Sequence, residues 1–159
     1  MFKLSTRSSE RLATCHNDLQ LIVKEALRYS PIDFGISHGH RTPEEQFDLF
    51  KKGRENRGNK WVVVGPKVTN CDGFIKKSKH NHDPSLAVDI YCWPKAIMYD
   101  AQSLATVGGL IMATANRLYD EGRIRHKLRW GNDWDGDGVL VAKDDDERFI
   151  DAPHFELIT

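Results

Sequence analysis

The sequence predicts an α+β fold in which a small, mainly antiparallel sheet is flanked by helices. Two long segments carry apolar residues at helical spacing, and short apolar runs typical of strands lie around them. Neither a regular strand–helix alternation nor a glycine-rich nucleotide loop is present. With 159 residues and 40% hydrophobic content, the chain can bury a core in one domain. We therefore expect a single domain over residues 1–159, with the N-terminal helix packed on it.

The first third of the chain predicts a long helix, a strand and a short capped helix. Apolar residues recur at helical spacing from about Ser9 to Tyr29, and Pro31 ends this helix. The alternation over Ile32 to Ser37 is typical of a strand. Thr42 is an N-cap residue with a glutamate three positions later, a capping box that predicts a helix continuing through Gln46 to Lys52.

The remaining elements lie in and after a loop-rich segment, residues 54–78, of the kind that usually borders a site. Beyond it we expect a buried strand, a second long helix closed by Gly122, and two short strands. The predicted bounds are Trp61 to Val64 for a strand inside the loop-rich segment, Ala87 to Tyr91 for the buried strand, Ser103 to Glu121 for the helix, and Leu128 to Trp130 and Phe155 to Leu157 for the short strands.

Charge and cysteine content argue against several classes of protein. Lysine plus arginine (23) equal aspartate plus glutamate (23), so no overall field attracts a polyanion and nucleic acid is not expected as a partner. Three cysteines without a C-x-x-C spacing argue against a disulfide framework or a thiolate zinc site, and they favour a reducing cytosol. No apolar secretory run or membrane-length stretch is visible, so we expect neither self-export nor a membrane partner.

A carboxylate inside an apolar run is the first indication of chemistry. Asp89 lies within the predicted strand Ala87 to Tyr91, where an ionised group is costly unless a cation or several donors compensate it. A metal ion would do so, and a loop cap or an ion pair with arginine is the alternative. Five of the seven histidines fall in three sequence clusters: His38 with His40, His80 with His82, and His154.

The C-terminal segment offers a second carboxylate, Asp151, three residues before His154. Pro153 prevents a regular helix there, so the two side chains converge from a rigid extended turn. Two imidazoles and one carboxylate would leave a fourth zinc position for water, and the second carboxylate could then be the base.

The ordered motifs resemble a family of zinc peptidases. Ser78-x-His80 with the downstream Ala87-Val88-Asp89, followed by Asp151-x-x-His154, is similar to the pattern of D-alanyl-D-alanine carboxypeptidases and phage L-alanyl-D-glutamate endolysins. Hedgehog domains share the architecture of these enzymes. The segments Ile36 to Gln46 and Trp130 to Trp134 resemble the family's early strand–turn–helix and its tryptophan–glycine segment.

The resemblance implies specific roles. His80, Asp89 and His154 would bind zinc, Asp151 would be the general base and acid, and Arg41 would assist at the oxyanion. A salt bridge that anchors the capped helix is the alternative role of Arg41.

The spacing of the first two ligands departs from that of many family members, in which a shorter loop with a glycine separates the histidine from the aspartate. Eight residues separate His80 and Asp89, with Pro84 and Ser85 among them. His82 gives the shorter spacing and stays an alternative ligand, whereas His80 is preferred because it keeps the Ser-x-His context. The unused histidine would line the cleft or orient a ligand.

An acidic loop near the C-terminus is a candidate cation site. Asp133, Asp135 and Asp137 alternate and Gly138 occupies the sixth position, which matches the first half of a calcium loop. The twelfth position is Asp144 instead of a glutamate and no flanking helix pair is expected. A solvated acidic turn is therefore the alternative to Ca²⁺ binding.

The function we expect is that of a zinc-dependent peptidoglycan peptidase of the phage endolysin type. It would cut the stem peptide at an L-alanyl-D-glutamate bond, with a D-alanyl-D-alanine bond as the alternative. It would act as a monomer, stored in the host cytoplasm until another factor releases it onto the cell wall. A metal-dependent nuclease and a non-catalytic metal- or wall-binding domain are rival interpretations, and the balanced charge argues against the nuclease.

Overall fold

The protein is built on a four-stranded antiparallel sheet with long helices packed against one face. The computed structural model describes residues 1–140 and 150–159, and no helix within these ranges is long and apolar enough to cross a bilayer. The helices are α1 (Thr6–Ala13), α2 (Asn17–Tyr29), α3 (Pro43–Lys51) and α4 (Ala101–Asp120), and the strands are β1 (Asp33–His38), β2 (Arg54–Arg57), β3 (Lys60–Val63), β4 (Ala87–Trp93), β5 (Leu128–Trp130) and β6 (His154–Leu157).

The sheet has the strand order β1–β4–β6–β5, and each neighbouring pair is antiparallel. The predicted α+β fold with a small antiparallel sheet is therefore confirmed. The four strands of this sheet and α4 lie within two residues of their predicted bounds. The capping box at Thr42 is also present, with the Glu45 side chain accepting from the Thr42 amide (2.8 Å).

The two faces of the sheet differ because side chains alternate along each strand. One face carries apolar side chains that form the core with α2 and α4. The opposite face carries polar and charged side chains, and this difference positions the candidate site. The sheet residues in the core include Phe34, Ile36, Val88, Ile90, Cys92, Leu128, Trp130, Phe155 and Leu157.

The helix predicted from Ser9 to Tyr29 is wrong in one respect, because the structure has two helices there. The helix is interrupted at Cys15, where the backbone pairs with the loop before β4. Ser85 N donates to Thr14 O (2.9 Å), and His16 N donates to Ser85 O (2.8 Å). The His16 imidazole then accepts from the Asp18 amide and caps α2. This tertiary contact leaves the apolar periodicity unchanged, so the sequence pattern does not reveal it.

A second difference lies in the loop-rich segment, where β2 pairs with β3 in a hairpin. The sequence predicts only the second strand, because the residues of β2 are all polar and lack apolar alternation. Gly58, with φ 68°, opens the two-residue turn in a conformation that favours glycine. The Phe47 ring of α3 lies 5.7 Å from the Trp61 ring of β3, which places the hairpin against α3.

Candidate metal centre

Three neighbouring strands place polar side chains in a row on the open face of the sheet. His38 of β1 is opposite Asp89 of β4, and Asp89 is opposite His154 of β6. Directly opposed residues point to the same face, with Cβ atoms about 4.5–5.5 Å apart. The strand register therefore brings Asp89 and His154 together although they are 65 positions apart in the chain.

His80 reaches this row from a 3₁₀ turn, Lys79–Asn81. A capping box closes the turn: the Ser78 hydroxyl accepts from the His80 amide (3.3 Å), and the Asn81 side chain accepts from the Ser78 amide (2.8 Å). The His80 carbonyl accepts from the Arg41 amide (2.9 Å). The serine two residues before the histidine thus fixes the turn that directs a buried imidazole toward the sheet.

The ligand atoms of His80, Asp89 and His154 form a compact group, which we call the ligand triangle. His154 Nδ1 is 2.9 Å and His80 Nε2 is 3.1 Å from Asp89 Oδ1, and the two nitrogens are 3.3 Å apart. Ligand atoms about 2 Å from a tetrahedral zinc ion lie roughly 3.3 Å from each other. The triangle therefore has the size of one face of a zinc coordination tetrahedron. His82, the alternative ligand, lies outside it as the C-cap of the 3₁₀ turn.

In each imidazole, the ring nitrogen that lies away from Asp89 forms a hydrogen bond that fixes the orientation of the ring and the position of its hydrogen. His80 Nδ1 is 2.6 Å from Gly39 O, a carbonyl that can only accept, so Nδ1 carries the hydrogen. His154 Nε2 is 3.0 Å from a carboxylate oxygen of Glu156, so Nε2 carries the hydrogen there. With the far nitrogens protonated, the neutral form of each ring would direct its remaining lone pair toward the carboxylate of Asp89, and this is the form of imidazole that binds a metal ion. Three electron-rich atoms that face one another fit a divalent cation.

The charged groups around the triangle favour a positive charge at its centre. Burial opposes a charge on His154, but hydrogen bonds to Asp89 and Glu156 outweigh it and raise its pKa to about 10. Burial likewise opposes ionisation of Glu156, yet hydrogen bonds from His154 and Arg129 lower its pKa to about 2. The Asp89 pKa is held well below its usual range by the two histidines, against the effect of burial. These carboxylates are therefore ionised at neutral pH.

Arg41 lies next to the triangle and contacts Asp89 directly. Its Nη2 donates to Asp89 Oδ2 (3.2 Å), whereas His80 and His154 contact the other oxygen, and its Nη1 donates to Gln46 Oε1 (2.8 Å). The side chain is 11% exposed, and its Nε has no hydrogen-bond partner within the described ranges. The guanidinium thus borders the site in one defined orientation.

Asp151 supplies the second carboxylate of the cleft. Gly131 allows its approach, since a Cβ at position 131 would lie 2.3 Å from the Asp151 carbonyl oxygen. The Asp151 amide donates to Gly131 O (2.7 Å), and the Asp151 carbonyl accepts from the His154 amide (3.0 Å). Burial, and then the negative charge of Asp89, raise the pKa of Asp151. A carboxylate with a raised pKa beside a metal site is suited to proton transfer.

These groups line a cleft of about 680 Å³. The Trp134 ring lies 5.7 Å from the His154 ring and forms part of one wall, with the Arg129 guanidinium 5.5 Å from the indole. Residues 67–71 form another part of the lining. His38 lies at the surface, with its side chain 56% exposed and its Nδ1 3.8 Å from Asp89 Oδ2. Trp130 instead packs in the core against Phe155.

The acidic loop lies beside this cleft and brings its predicted residues together. Oxygens of Asp133, Asp135 and Asp137 lie within 4.8 Å of one another. Asp133 is 9% exposed, and its Oδ1 has no hydrogen-bond partner in the part of the chain that the structure describes. The twelfth loop position, Asp144, lies outside the described residues.

Sequence reasoning missed two residues that support the site, Glu156 and Gln46. Glu156 is two positions after His154 on β6, so both side chains lie on one face, and Arg129 pairs with it across the strands. The strand spacing of His154 and Glu156 is a signal that could have identified this pair. Gln46 lies in the capped helix, where no sequence pattern indicates its contact with Arg41.

The fold and the site together define a class of protein: an α+β domain whose sheet presents a histidine–aspartate–histidine triangle at a cleft, beside a second carboxylate and an arginine. The model of the phage L-alanyl-D-glutamate peptidase family matches residues 1–62. This match includes β1 and Arg41, whereas the ligand triangle lies C-terminal to it. Comparison with curated protein sequences finds no match.

The chain is also similar to a solved structure, the Serratia marcescens L-Ala D-Glu endopeptidase ChiX. The TM-score is 0.64 at 22% sequence identity, and the alignment covers 98% of this chain and 90% of that chain. The structural likeness establishes the fold. The family match supports the resemblance to phage L-alanyl-D-glutamate peptidases that the sequence motifs predict.

Proposed function

We propose that this protein is a zinc-dependent peptidoglycan peptidase that hydrolyses the L-alanyl-D-glutamate bond of the stem peptide. The observation that carries the proposal is the ligand triangle, in which two oriented imidazoles and a carboxylate converge at a cleft. The family match and the likeness to ChiX favour this bond over D-alanyl-D-alanine. The enzyme would act on the cell wall after release from the host cytoplasm.

The roles of the residues follow from their positions. His80, Asp89 and His154 would hold a zinc ion, which would supply Lewis acidity. Asp151 accepts the proton of the attacking water and returns it to the leaving amine, a task that its raised pKa favours. Arg41 directs positive charge toward the carbonyl oxygen as negative charge develops there.

The assignment of Asp151 is tested with Asp151→Asn, which keeps the shape of the side chain but removes the base. We expect hydrolysis of purified peptidoglycan to fall at least about a hundredfold, with bound zinc unchanged. The matched control is Asp120→Asn, at an exposed position at the end of α4. Undiminished hydrolysis by Asp151→Asn would remove this residue from the mechanism.

The bond is identified by mass spectrometry of the fragments that the wild-type protein releases. Cleavage at the proposed bond leaves new D-glutamate amino termini. Released free D-alanine would instead indicate a carboxypeptidase, and an intact wall together with nicked plasmid DNA would indicate a nuclease. Elemental analysis of the same sample measures the metal, for which we expect one zinc ion per chain.

The acidic loop is proposed to bind Ca²⁺ through Asp133, Asp135 and Asp137. The buried, unpartnered Oδ1 of Asp133 supports this, because such an oxygen is costly to bury without a cation or a donor. We expect calorimetric titration with Ca²⁺ to show a site that Asp135→Asn weakens at least about tenfold. Identical titrations of the variant and the wild type would leave the loop as a solvated acidic turn.

A further inference from the structure

We propose that Gln46 is a positioning residue that orients Arg41 toward the ligand triangle and connects it to the cleft lining at residues 69–71. The inference rests on the peptidase function proposed above and assigns a role to a residue for which the sequence motifs predict none. Gln46 lies on α3, and its side chain is fully buried.

Both the oxygen and the nitrogen of the Gln46 side-chain amide form hydrogen bonds. Its Oε1 accepts from Arg41 Nη1 (2.8 Å), while its Nε2 donates to Thr69 Oγ1 and to Cys71 O (3.1 Å each). A glutamine has two amide hydrogens, so both donors are used. The partners at 69 and 71 fix the amide orientation, because a flipped amide would place its oxygen against the Cys71 carbonyl.

The orientation of Gln46 in turn defines that of Arg41. An arginine side chain is flexible, and a single hydrogen bond to Asp89 would leave its guanidinium free to rotate. The two bonds, to Gln46 at one end and to Asp89 Oδ2 (3.2 Å) at the other, hold the guanidinium plane. Thr69 and Cys71 line the same cleft as Arg41 and Asp89. A continuous series of hydrogen bonds therefore runs from the cleft lining through Gln46 and Arg41 to a predicted metal ligand.

This arrangement predicts which kinetic constant a substitution of Gln46 changes. Arg41 acts on charge that develops in the transition state, so a misplaced guanidinium lowers kcat more than it changes KM. A purely structural role of Gln46 would instead lower the fraction of folded protein and leave the kinetic constants of the folded enzyme unchanged.

The experiment compares Gln46→Leu and Gln46→Glu with the wild type, using Gln102→Leu in the exposed first turn of α4 as the matched control. We expect Gln46→Leu to lower kcat about tenfold or more, because small misplacements of a reacting group cost this much. KM and bound zinc stay within about twofold of the wild-type values. Gln46→Glu keeps an acceptor for Arg41 but places its second oxygen against the Cys71 carbonyl, so its kcat should lie between those of the wild type and the leucine variant.

A double-mutant cycle establishes whether Gln46 acts through Arg41. In an Arg41→Ala background, Gln46→Leu should have little further effect on kcat, since the group that it positions is gone. Full additivity of the two effects would overturn the proposal. If Gln46→Leu does not fold, Thr69→Val takes its place in the cycle, since it removes only the hydrogen bond from Gln46 Nε2 to Thr69 Oγ1. A small further effect on kcat in the Arg41→Ala background would again support the proposal, and full additivity would overturn it.

A second measurement is independent of activity. The solvent exchange of the Arg41 Nη1 hydrogens, one of which is donated to Gln46 Oε1, can be followed by ¹⁵N NMR, with the signal assigned by its loss in Arg41→Ala. We expect Gln46→Leu to accelerate this exchange at least about tenfold, and unchanged exchange would contradict the proposal. If the wild-type protein cleaves no peptidoglycan, the proposed function fails, and the exchange measurement still decides whether Gln46 orients Arg41.

Discussion

Two clusters in the described parts of this chain combine one aspartate with two histidines. One is the ligand triangle, and the other consists of His16, Asp18 and His126, whose ligand atoms also lie within 4.8 Å of one another. In the second cluster the His16 and His126 side chains are each 29% exposed, whereas in the triangle the exposed fractions are 2% for His80 and 9% for His154. The two clusters thus share donor types but differ in surroundings.

The ligand atoms of the second cluster already have other partners. Asp18 Oδ2 accepts from the Arg125 amide (2.9 Å), the His126 amide (3.1 Å) and His126 Nδ1 (2.8 Å). His16 Nδ1 accepts from the Asp18 amide at the start of α2. These bonds anchor the segment before β5 to a helix terminus. The comparison teaches that donor type alone does not make a metal site, since the lone pairs must also be oriented and uncommitted.

The largest expected effect separates the two clusters by a matched pair of substitutions. His80→Ala removes a ligand of the triangle and should abolish stoichiometric zinc binding and lower peptidoglycan hydrolysis at least about a thousandfold. His126→Ala changes the same residue type in the second cluster and should leave both within about twofold, because no bond of the triangle is altered. Elemental analysis and wall-digestion rates measure the two quantities.

Retained stoichiometric zinc in His80→Ala would transfer the ligand role to another residue, and His82→Ala provides that comparison. Loss of zinc in His126→Ala would show that the second cluster binds the metal.

An intermediate effect is expected at the far side of the triangle. Glu156→Gln keeps an acceptor for His154 Nε2 but removes the negative charge that orients the imidazole and increases its basicity. We expect zinc affinity to fall about 10- to 100-fold, measured by competition with a chelating dye. Glu121→Gln, at the exposed C-cap of α4, is the matched control and should leave the affinity unchanged. Equal zinc affinities of both variants would show that Glu156 only forms the cross-strand ion pair with Arg129.

Local sequence patterns predict most strands of the sheet and the residues of the ligand triangle. Alternation predicts β1, and short apolar runs predict β4 and the two terminal strands. A carboxylate at Asp89 inside an apolar run indicates a compensating cation or ion pair. Serine before His80 and aspartate before His154 carry the resemblance that selects these histidines, and the structure brings the selected residues together. Local pattern is sufficient here because each of these residues lies in or beside an element that the pattern defines.

The remaining parts depend on contacts between segments that are distant in the chain. The break at Cys15 results from pairing with Ser85, and the contact of Gln46 with Arg41 depends on how α3 packs against the cleft lining. The second cluster is equally hidden, since no sequence pattern connects His16 with His126. The periodicity of apolar residues indicates which face of a helix or strand is buried. It does not indicate which other segment of the chain packs against that face.

The smallest expected effect is the pH dependence of the second cluster. Burial opposes ionisation of Asp18, but hydrogen bonds from the His126 side chain and from the amides of Arg125 and His126 outweigh it, so its pKa is lowered in the folded protein. A carboxyl of this kind stabilises the fold above its unfolded pKa of about 3.9 and loses that contribution as the pH falls through the folded value.

Asp18→Asn should therefore lower the free energy of unfolding by about 1 kcal/mol at neutral pH, and the difference from the wild type should shrink below about pH 4. Urea denaturation at several pH values measures both. A difference that stays constant down to pH 2 would contradict an ionic contribution. We expect the second cluster to anchor a loop and to bind no metal, so the Asp18→Asn difference at neutral pH should be the same with and without zinc. A metal-dependent difference would place an ion at the second cluster.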